Sequence, residues 1–441
     1  MKKINIERGS KDLNSTGGIS LISAQLSHHS FPSTYFTTRK DTTNTADYLY
    51  SYLGLLSLGK TEFDSIEKYR SNRLFKHCLG LDKVPSSSAL RQNLNSLSLQ
   101  KSTFEAVHNL NQKVLSPVDI SPLQCAIGDC VPLDIDVTPL DNSGSKKEGV
   151  SCTYKLFDGY APIIAYLGVE GYAVHGELRE GKQHCQNGMG TFLEDTLTYS
   201  FQLLPEDSNI LLRLDGGHDS AENQEIIAYT DRCYAIIKRN LRKESSHEWL
   251  DRAERLGDLI SDDGMVRHYR GFVTDFVSLY DGKEYTGDVV FDITYTYADS
   301  TGQLLMFPEI DVDTYWTNLP ESPEKIIQLY HDHATSEQFH SEIKTDMDVE
   351  RLPSGKFATN KLVFQLALTA YNMLRRISVE MIPYNKKNVK KVKRRRIRTV
   401  LLDIIYTGCQ WIERAGRRIM RFGCNCAEYE GINSLYHQFS I

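Results

Sequence analysis

VPLDIDVT, residues 131–138, alternates apolar and polar side chains over its whole length. Val131, Leu133, Ile135 and Val137 fall on one face, and Asp134, Asp136 and Thr138 on the other. That period of two is the signature of a half-buried strand. Beyond a polar loop at 141–149, which carries Lys146 and Lys147, two further strands are expected at 161–167 and 172–178, turned at Gly168-Val169-Glu170-Gly171. A helix from about 190 to 203 follows. NILLRL, residues 209–214, is then a short apolar strand closed by Asp215-Gly216-Gly217. A helix over 221–229 and a fifth strand over 233–238 complete the series.

Three strands, helix, strand, helix, strand is the order of the ribonuclease H-like α/β fold, a hairpin meander with helices covering the sheet. Residues 240–318 interrupt it with strand-like runs at 271–280, 288–297 and 304–310, and Trp316 near the exit. These read as an inserted β-rich subdomain. The core then resumes over 319–378, where 360–377 is a strongly apolar helix, and a basic helical C-terminal region occupies 379–441. Residues 1–120 form an N-terminal arm and a helical region, so that 121–239 is the first part of the core.

Within 45–97 several short helices are expected, the last with a Ser-rich start and running to Leu97 with Arg91 on it. Such a group suits a helix-turn-helix-like DNA reader or a plain helical bundle. Gly54 to Thr61, GLLSLGKT, also fits the phosphate-loop formula, which needs a strand before it and a helix after it. Here the preceding residues read as helix, and three leucines would fill the cradle.

The length of 441 residues suits about three domains, and 40% hydrophobic with 24% charged residues is ordinary for a globular chain. The net charge of −6 hides a segregation. Between residues 386 and 421, thirteen Lys and Arg face only Asp403 and Glu413, a local +13 − 2 = +11 that leaves −17 elsewhere. Blocks of this kind neutralise phosphates. The N-terminus lacks the apolar run of a secretory signal, and no 18-residue apolar stretch suggests a membrane span. Nine cysteines without paired spacing suit a reducing, cytoplasmic setting.

The chemistry gathers at LYHDHATSEQFHSEIK, residues 329–344. Ser322 and Pro323 make a capped helix start. On one continuous helix Tyr330, His333, Glu337 and Lys344 share an arc of roughly 60°, with Leu329, Phe339 and Ile343 turned to the core. Glu342 lies well round from Glu337. Phosphoryl transfer needs an activated oxygen nucleophile and charge neutralisation at the phosphate, both supplied by two Mg²⁺ ions held by a few carboxylates. Asp136 on a strand, Asp215 at a strand end and Glu337 on a helix have the placements required. Asp134 shares the face of Asp136 and competes with it.

Tyr330-x2-His333-x3-Glu337-x6-Lys344 resembles the Y-x2-R-x3-E-x6-K signature of bacterial insertion-sequence transposases of the DDE class. Asp136-Val137-Thr138, Leu212-Arg213-Leu214-Asp215-Gly216, Thr317-Asn318-Leu319 and the run Lys147-Glu148-Gly149 with Tyr154–Tyr160 resemble the same enzymes. The likeness extends over roughly residues 45 to 425. It implies a cut-and-paste DNA transposase in which Asp136, Asp215 and Glu337 bind two Mg²⁺ ions, with Mn²⁺ able to substitute. It also implies duplex DNA with terminal inverted repeats and target DNA as partners, and a homodimer in the DNA complex. Tyr330, His333 and Lys344 would contact DNA, joined by Lys393, Arg394, Arg395, Arg396, Arg398 and Arg91. Trp316 is the aromatic that could stack a flipped base. His333 stands where arginine is usual and lacks its bidentate fork. A catalytically silent DNA-binding relative, a general metal-dependent nuclease and a phosphate-loop ATPase are the alternatives.

Overall fold

The structure is a computed structural model, and it describes residues 11–27, 45–280, 283–299, 301–384 and 392–440. Lys386, Lys387, Lys390 and Lys391 of the basic block, and most of the N-terminal arm, lie outside the described residues.

Five strands form one side of a ten-stranded mixed sheet: β1 (Gly128–Val137), β2 (Ile163–Leu167), β3 (Tyr172–Glu177), β4 (Asn209–Leu214) and β5 (Cys233–Lys238). Their spatial order is β3-β2-β1-β4-β5. β1 pairs antiparallel with β2, and β2 with β3, whereas β1–β4 and β4–β5 are parallel. The two glycines of the β2–β3 turn, Gly168 and Gly171, hold φ of 76° and 75°. A side chain at Gly171 would meet the Phe339 ring at 2.2 Å, so the turn also has to be glycine for that ring to pack on it.

The alternation in β1 sorts its side chains onto two faces. Val131, Leu133 and Ile135 bury against Met189–Leu203 and Ala221–Ala228, with Ile210, Leu212 and Leu214 of β4 beside them. Each such fully buried aliphatic side chain stabilises the fold by roughly 1.5–3 kcal/mol. The opposite face is covered by helix Phe357–Glu380, buried along most of its length, and by helix Pro323–His331 through Ile326, Ile327 and Leu329. Asp134 and Asp136 therefore point into the layer that holds the 323–346 region.

Residues 240–318 contain helix Ser246–Leu256 and strands Asp258–Asp262, Val266–Tyr280, Lys283–Ala298 and Leu304–Thr317. Rather than forming a sheet of their own, these strands continue the central one: Thr317 pairs with Ile236 and Trp316 with Ile237 of β5.

Two expectations need correction here. The helix starting at Ser322 has the expected cap, its Oγ accepting from the Lys325 N–H, but it ends at His331. A 3₁₀ turn at Asp332–Ala334, a short helix Thr335–Ser341 and a π turn Glu342–Asp346 follow. The 330–344 stretch is therefore not the one continuous helix on which the stripe rests, and His333 is buried where Glu337 is exposed. The basic C-terminal region is only partly helical. Ile397–Ile405 is helical, but Cys409–Arg414 and Arg417–Phe422 form an antiparallel hairpin. Near the N-terminus, Thr45–Leu56 is helix, and Gly54 lies inside it against Leu79 and Phe75. GLLSLGKT thus has a helix where a phosphate loop needs a strand. The capped helix ending at Leu97 is present as Ser87–Leu97, with the Ser86 side chain accepting from the Ala89 N–H.

Candidate active site

Asp136 and Asp215 occupy the carboxyl ends of neighbouring parallel strands. The last β1–β4 pair is Ile135 with Leu214, and each aspartate is the next residue in its chain; adjacent strands run about 4.8 Å apart. Both side chains reach solvent, Asp136 at 23% and Asp215 at 47% exposure. The hydroxyls of Tyr154 and Tyr330 feel both carboxylates. Burial, then Asp136 and Asp215, push the Tyr154 phenol up to about 12. Burial, then Asp215 and Asp136, raise that of Tyr330 too.

Each aspartate has a histidine beside it. His218 Nδ1 lies 2.6 Å from Asp215 Oδ1. His340 Nε2 lies 3.2 Å from Asp136 Oδ2, and the Val137 N–H donates to Asp136 Oδ1 at 2.7 Å. Burial works against the Asp136 charge, but His340, His333 and the Val137 N–H outweigh it and hold its carboxyl below the usual range. Burial lowers the His340 pKa, so the ring is neutral. None of His340, Tyr154 or His218 was among the candidates drawn from the sequence. A histidine on an apolar helix face and a tyrosine in a polar loop carry no spacing signal of their own.

Asp134 is a different kind of residue from Asp136, although the two share a face. It is 2% exposed. Arg213, its register partner on β4, forks onto it with Nε–Oδ1 at 2.6 Å and Nη2–Oδ2 at 2.8 Å. Arg213 Nη1 also donates to the Leu329 carbonyl at 2.7 Å, satisfying one of the orphan acceptors near the end of helix Pro323–His331. His333 Nδ1 sits 3.0 Å from Asp134 Oδ1, an electrostatic contact rather than an aligned hydrogen bond. The Asp134 carboxylate is thereby occupied, which leaves Asp136 as the available one. His333 is 8% exposed and so is turned away from any phosphate, contrary to the DNA contact expected of it.

Glu337 is exposed on helix Thr335–Ser341. Lys344 is half-buried within the field of Asp136, and burial depresses its pKa. Tyr330 packs its ring 4.8 Å from Tyr315. Glu342 is fully buried in a close ion pair with Arg375. Trp316 is 2% exposed, set among Phe276, Tyr285 and the Arg239 guanidinium. The Arg239 guanidinium lies over its ring, packing that suits a core aromatic rather than the base-stacking role expected of it. Lys393, Arg396 and Arg398 are exposed, Arg396 in an ion pair with Asp346. Arg395 is 8% exposed and paired with Glu428, and Arg394 lies over Phe339 and donates to Gln338. Arg91 is exposed over Phe63.

Two half-exposed carboxylates at one sheet edge are hard oxygen donors of the type that suits Mg²⁺. Among the described residues, no three His, Cys, Asp or Glu side chains converge closely enough to hold a metal ion. Asp136 and Asp215 are held at neighbouring strand ends, and Glu337 lies exposed on helix Thr335–Ser341.

Residues 305–440, just under a third of the chain, match the family model described as transposase DDE domain group 1. The matched stretch contains Glu337, Lys344 and the basic region and leaves out both aspartates. No curated protein matches the chain. Among solved structures, the piggyBac transposase in a synaptic complex with hairpin DNA is similar at 11% identity and a TM-score of 0.40, over 90% of this chain and 83% of that one. No described helix is long and apolar enough to cross a membrane. The function that the family match supports is that of a DDE transposase, an enzyme of DNA transposition and recombination.

Proposed function

We propose that this protein cuts DNA at the ends of a mobile element of insertion-sequence type and joins those ends to target DNA, with Asp136, Asp215 and Glu337 as its acidic triad. The observation that carries the reading is the placement of Asp136 and Asp215 just beyond the last register pair of the adjacent parallel strands β1 and β4. The β3-β2-β1-β4-β5 order, antiparallel then parallel, supports a ribonuclease H-like core, with 240–318 as its insertion.

Asp136 and Asp215 would hold two Mg²⁺ ions, and Glu337 would complete the set from the adjoining helix; Mn²⁺ would substitute. The ions supply a nucleophile at neutral pH and neutralise charge at the scissile phosphate. The protein's own part is to present ionised carboxylates. Asp136 is kept ionised by its hydrogen bonds, and the neutral His340 donates Nε2–H to it. Tyr330, Tyr154 and Lys344 surround the pair and can orient the phosphodiester. Lys393, Arg396 and Arg398 offer exposed positive charge to duplex DNA, with Arg91 as a further contact. Work on two element ends calls for a homodimer. All nine cysteines are free thiols, in keeping with a reducing cytoplasm.

A catalytically silent DNA-binding relative is the second reading, favoured by the lack, among the described residues, of three ligating side chains that converge on one point. The test is incubation with Mg²⁺ and DNA carrying the repeats that flank the gene. Nicks confined to the repeat ends support the transposase. Cutting of unrelated DNA at equal rate points to a general nuclease, and binding without cutting points to the silent relative.

A further inference from the structure

His340 and Tyr166 form a buried chain that ends on Asp136. Tyr166, on β2, is fully buried, and its hydroxyl lies 3.0 Å from His340 Nδ1. His340 is 5% exposed, and its Nε2 lies 3.2 Å from Asp136 Oδ2. The proton positions follow from the partners. An ionised carboxylate only accepts, so Nε2 carries the hydrogen. Nδ1 of the neutral ring is then an acceptor, and the Tyr166 hydroxyl donates to it. With the Val137 N–H on Oδ1, each Asp136 oxygen receives one fixed hydrogen bond, and neither bond takes all of that oxygen's acceptor capacity.

The ring that holds Asp136 sits on helix Thr335–Ser341, three residues after Glu337. Residues so spaced are neighbours along a helix. His340 therefore ties the Glu337-bearing helix to the strand bearing Asp136. The Phe339 ring, wedged against Gly171 and Tyr166, fixes the helix on the same side.

We infer that His340, oriented by Tyr166, is a positioning residue that sets the Asp136 carboxylate for metal binding and holds the Glu337 helix beside it. This rests on the reading of Asp136 as a ligand. Partners of this kind commonly change metal affinity by roughly 10–100-fold when removed.

The experiment is titration of the free full-length protein with Mn²⁺, followed by electron paramagnetic resonance, for wild type, His340→Ala, His340→Gln and Tyr166→Phe. Duplex-DNA affinity is measured alongside, and an Asp136→Ala control is included. The expected result is Mn²⁺ binding weakened about tenfold or more in His340→Ala, a smaller loss in Tyr166→Phe, and partial recovery in His340→Gln, whose amide can donate. DNA affinity should stay unchanged. Wild-type Mn²⁺ affinity in both Tyr166→Phe and His340→Ala would overturn the inference. If His340→Ala does not fold, Tyr166→Phe and His340→Gln decide alone, since each keeps most of the buried volume. Unchanged Mn²⁺ binding in Asp136→Ala would instead overturn the ligand reading on which the inference stands.

Discussion

His333 lies 3.0 Å from Asp134, buried beneath the turn that leads to Glu337. Seven residues on, His340 lies 3.2 Å from Asp136. Two histidines on successive segments of one interrupted helix thus grip two aspartates on one strand, and the two grips differ in character. Asp134 is closed off by Arg213 and His333 and serves as an anchor. Asp136 keeps acceptor capacity to spare and faces solvent.

That difference predicts opposite phenotypes for neighbouring aspartates. Asp134→Asn leaves Arg213 and His333 buried without their counter-charge, and breaking a buried pair in this way typically costs about 3–5 kcal/mol. Urea unfolding should show a loss of that order. Asp136→Asn should lose less, because its side chain is part-exposed, although the single amide oxygen can accept from only one of His340 and the Val137 N–H. Equal stability of the two variants would count against the anchor role.

The His333 ring gives a pH signature. Burial disfavours its charge, but Asp134 outweighs burial, and the net pKa is raised above 6.5. A histidine raised on folding contributes stability that is complete below its unfolded pKa and is lost as pH rises through its folded pKa. Wild type should therefore lose stability relative to His333→Gln as pH rises above about 6.5. His340 and His175 are depressed by burial, His175 to about 3, and act in the opposite sense below that pH. Subtracting His333→Gln from wild type in melts across about pH 6–9 removes their common part. A difference flat with pH would contradict the assignment.

The basic block should divide by burial. Lys393→Gln and Arg398→Gln should each weaken duplex-DNA binding and lower the salt dependence of log affinity by roughly 0.9 for each phosphate no longer neutralised. Arg395→Gln should instead act on stability, because it removes a buried guanidinium and leaves Glu428 without its partner. Binding isotherms from low to moderate salt, paired with thermal melts, separate the two classes.

Trp316→Ala should behave as a core truncation, costing about 3–5 kcal/mol. A variant that melts like wild type yet loses one step of the DNA reaction would restore the base-stacking role.

Much of the core was legible because its residues follow simple periods. The alternation of 131–137, the apolar runs of β4 and β5 and the Ser322-Pro323 cap all appear where the sequence indicates. The carboxylates at the two strand ends were legible for the same reason. The break at 332–334 was not, because it depends on groups distant in sequence: Arg213 taking the Leu329 carbonyl, and His333 turning in to Asp134. A helical wheel assumes an unbroken helix and so put His333 and Glu337 on one face. The hairpin at 409–422 was missed because its pattern of arginines and apolar residues reads equally well as an amphipathic helix. Its pairing with Leu13–Asn14 is a long-range event. The insertion's continuity with the central sheet likewise rests on Trp316 and Thr317 pairing with β5, which no local pattern reveals.

The most direct measurement is Mg²⁺-dependent cleavage of terminal-repeat DNA by Asp136→Ala, Asp215→Ala and Glu337→Ala, each tested separately and each checked for duplex binding. All three should bind DNA and none should cut it. Full cleavage by Asp215→Ala would overturn the acidic triad, because Asp215 is the residue that makes Asp136 one of a pair.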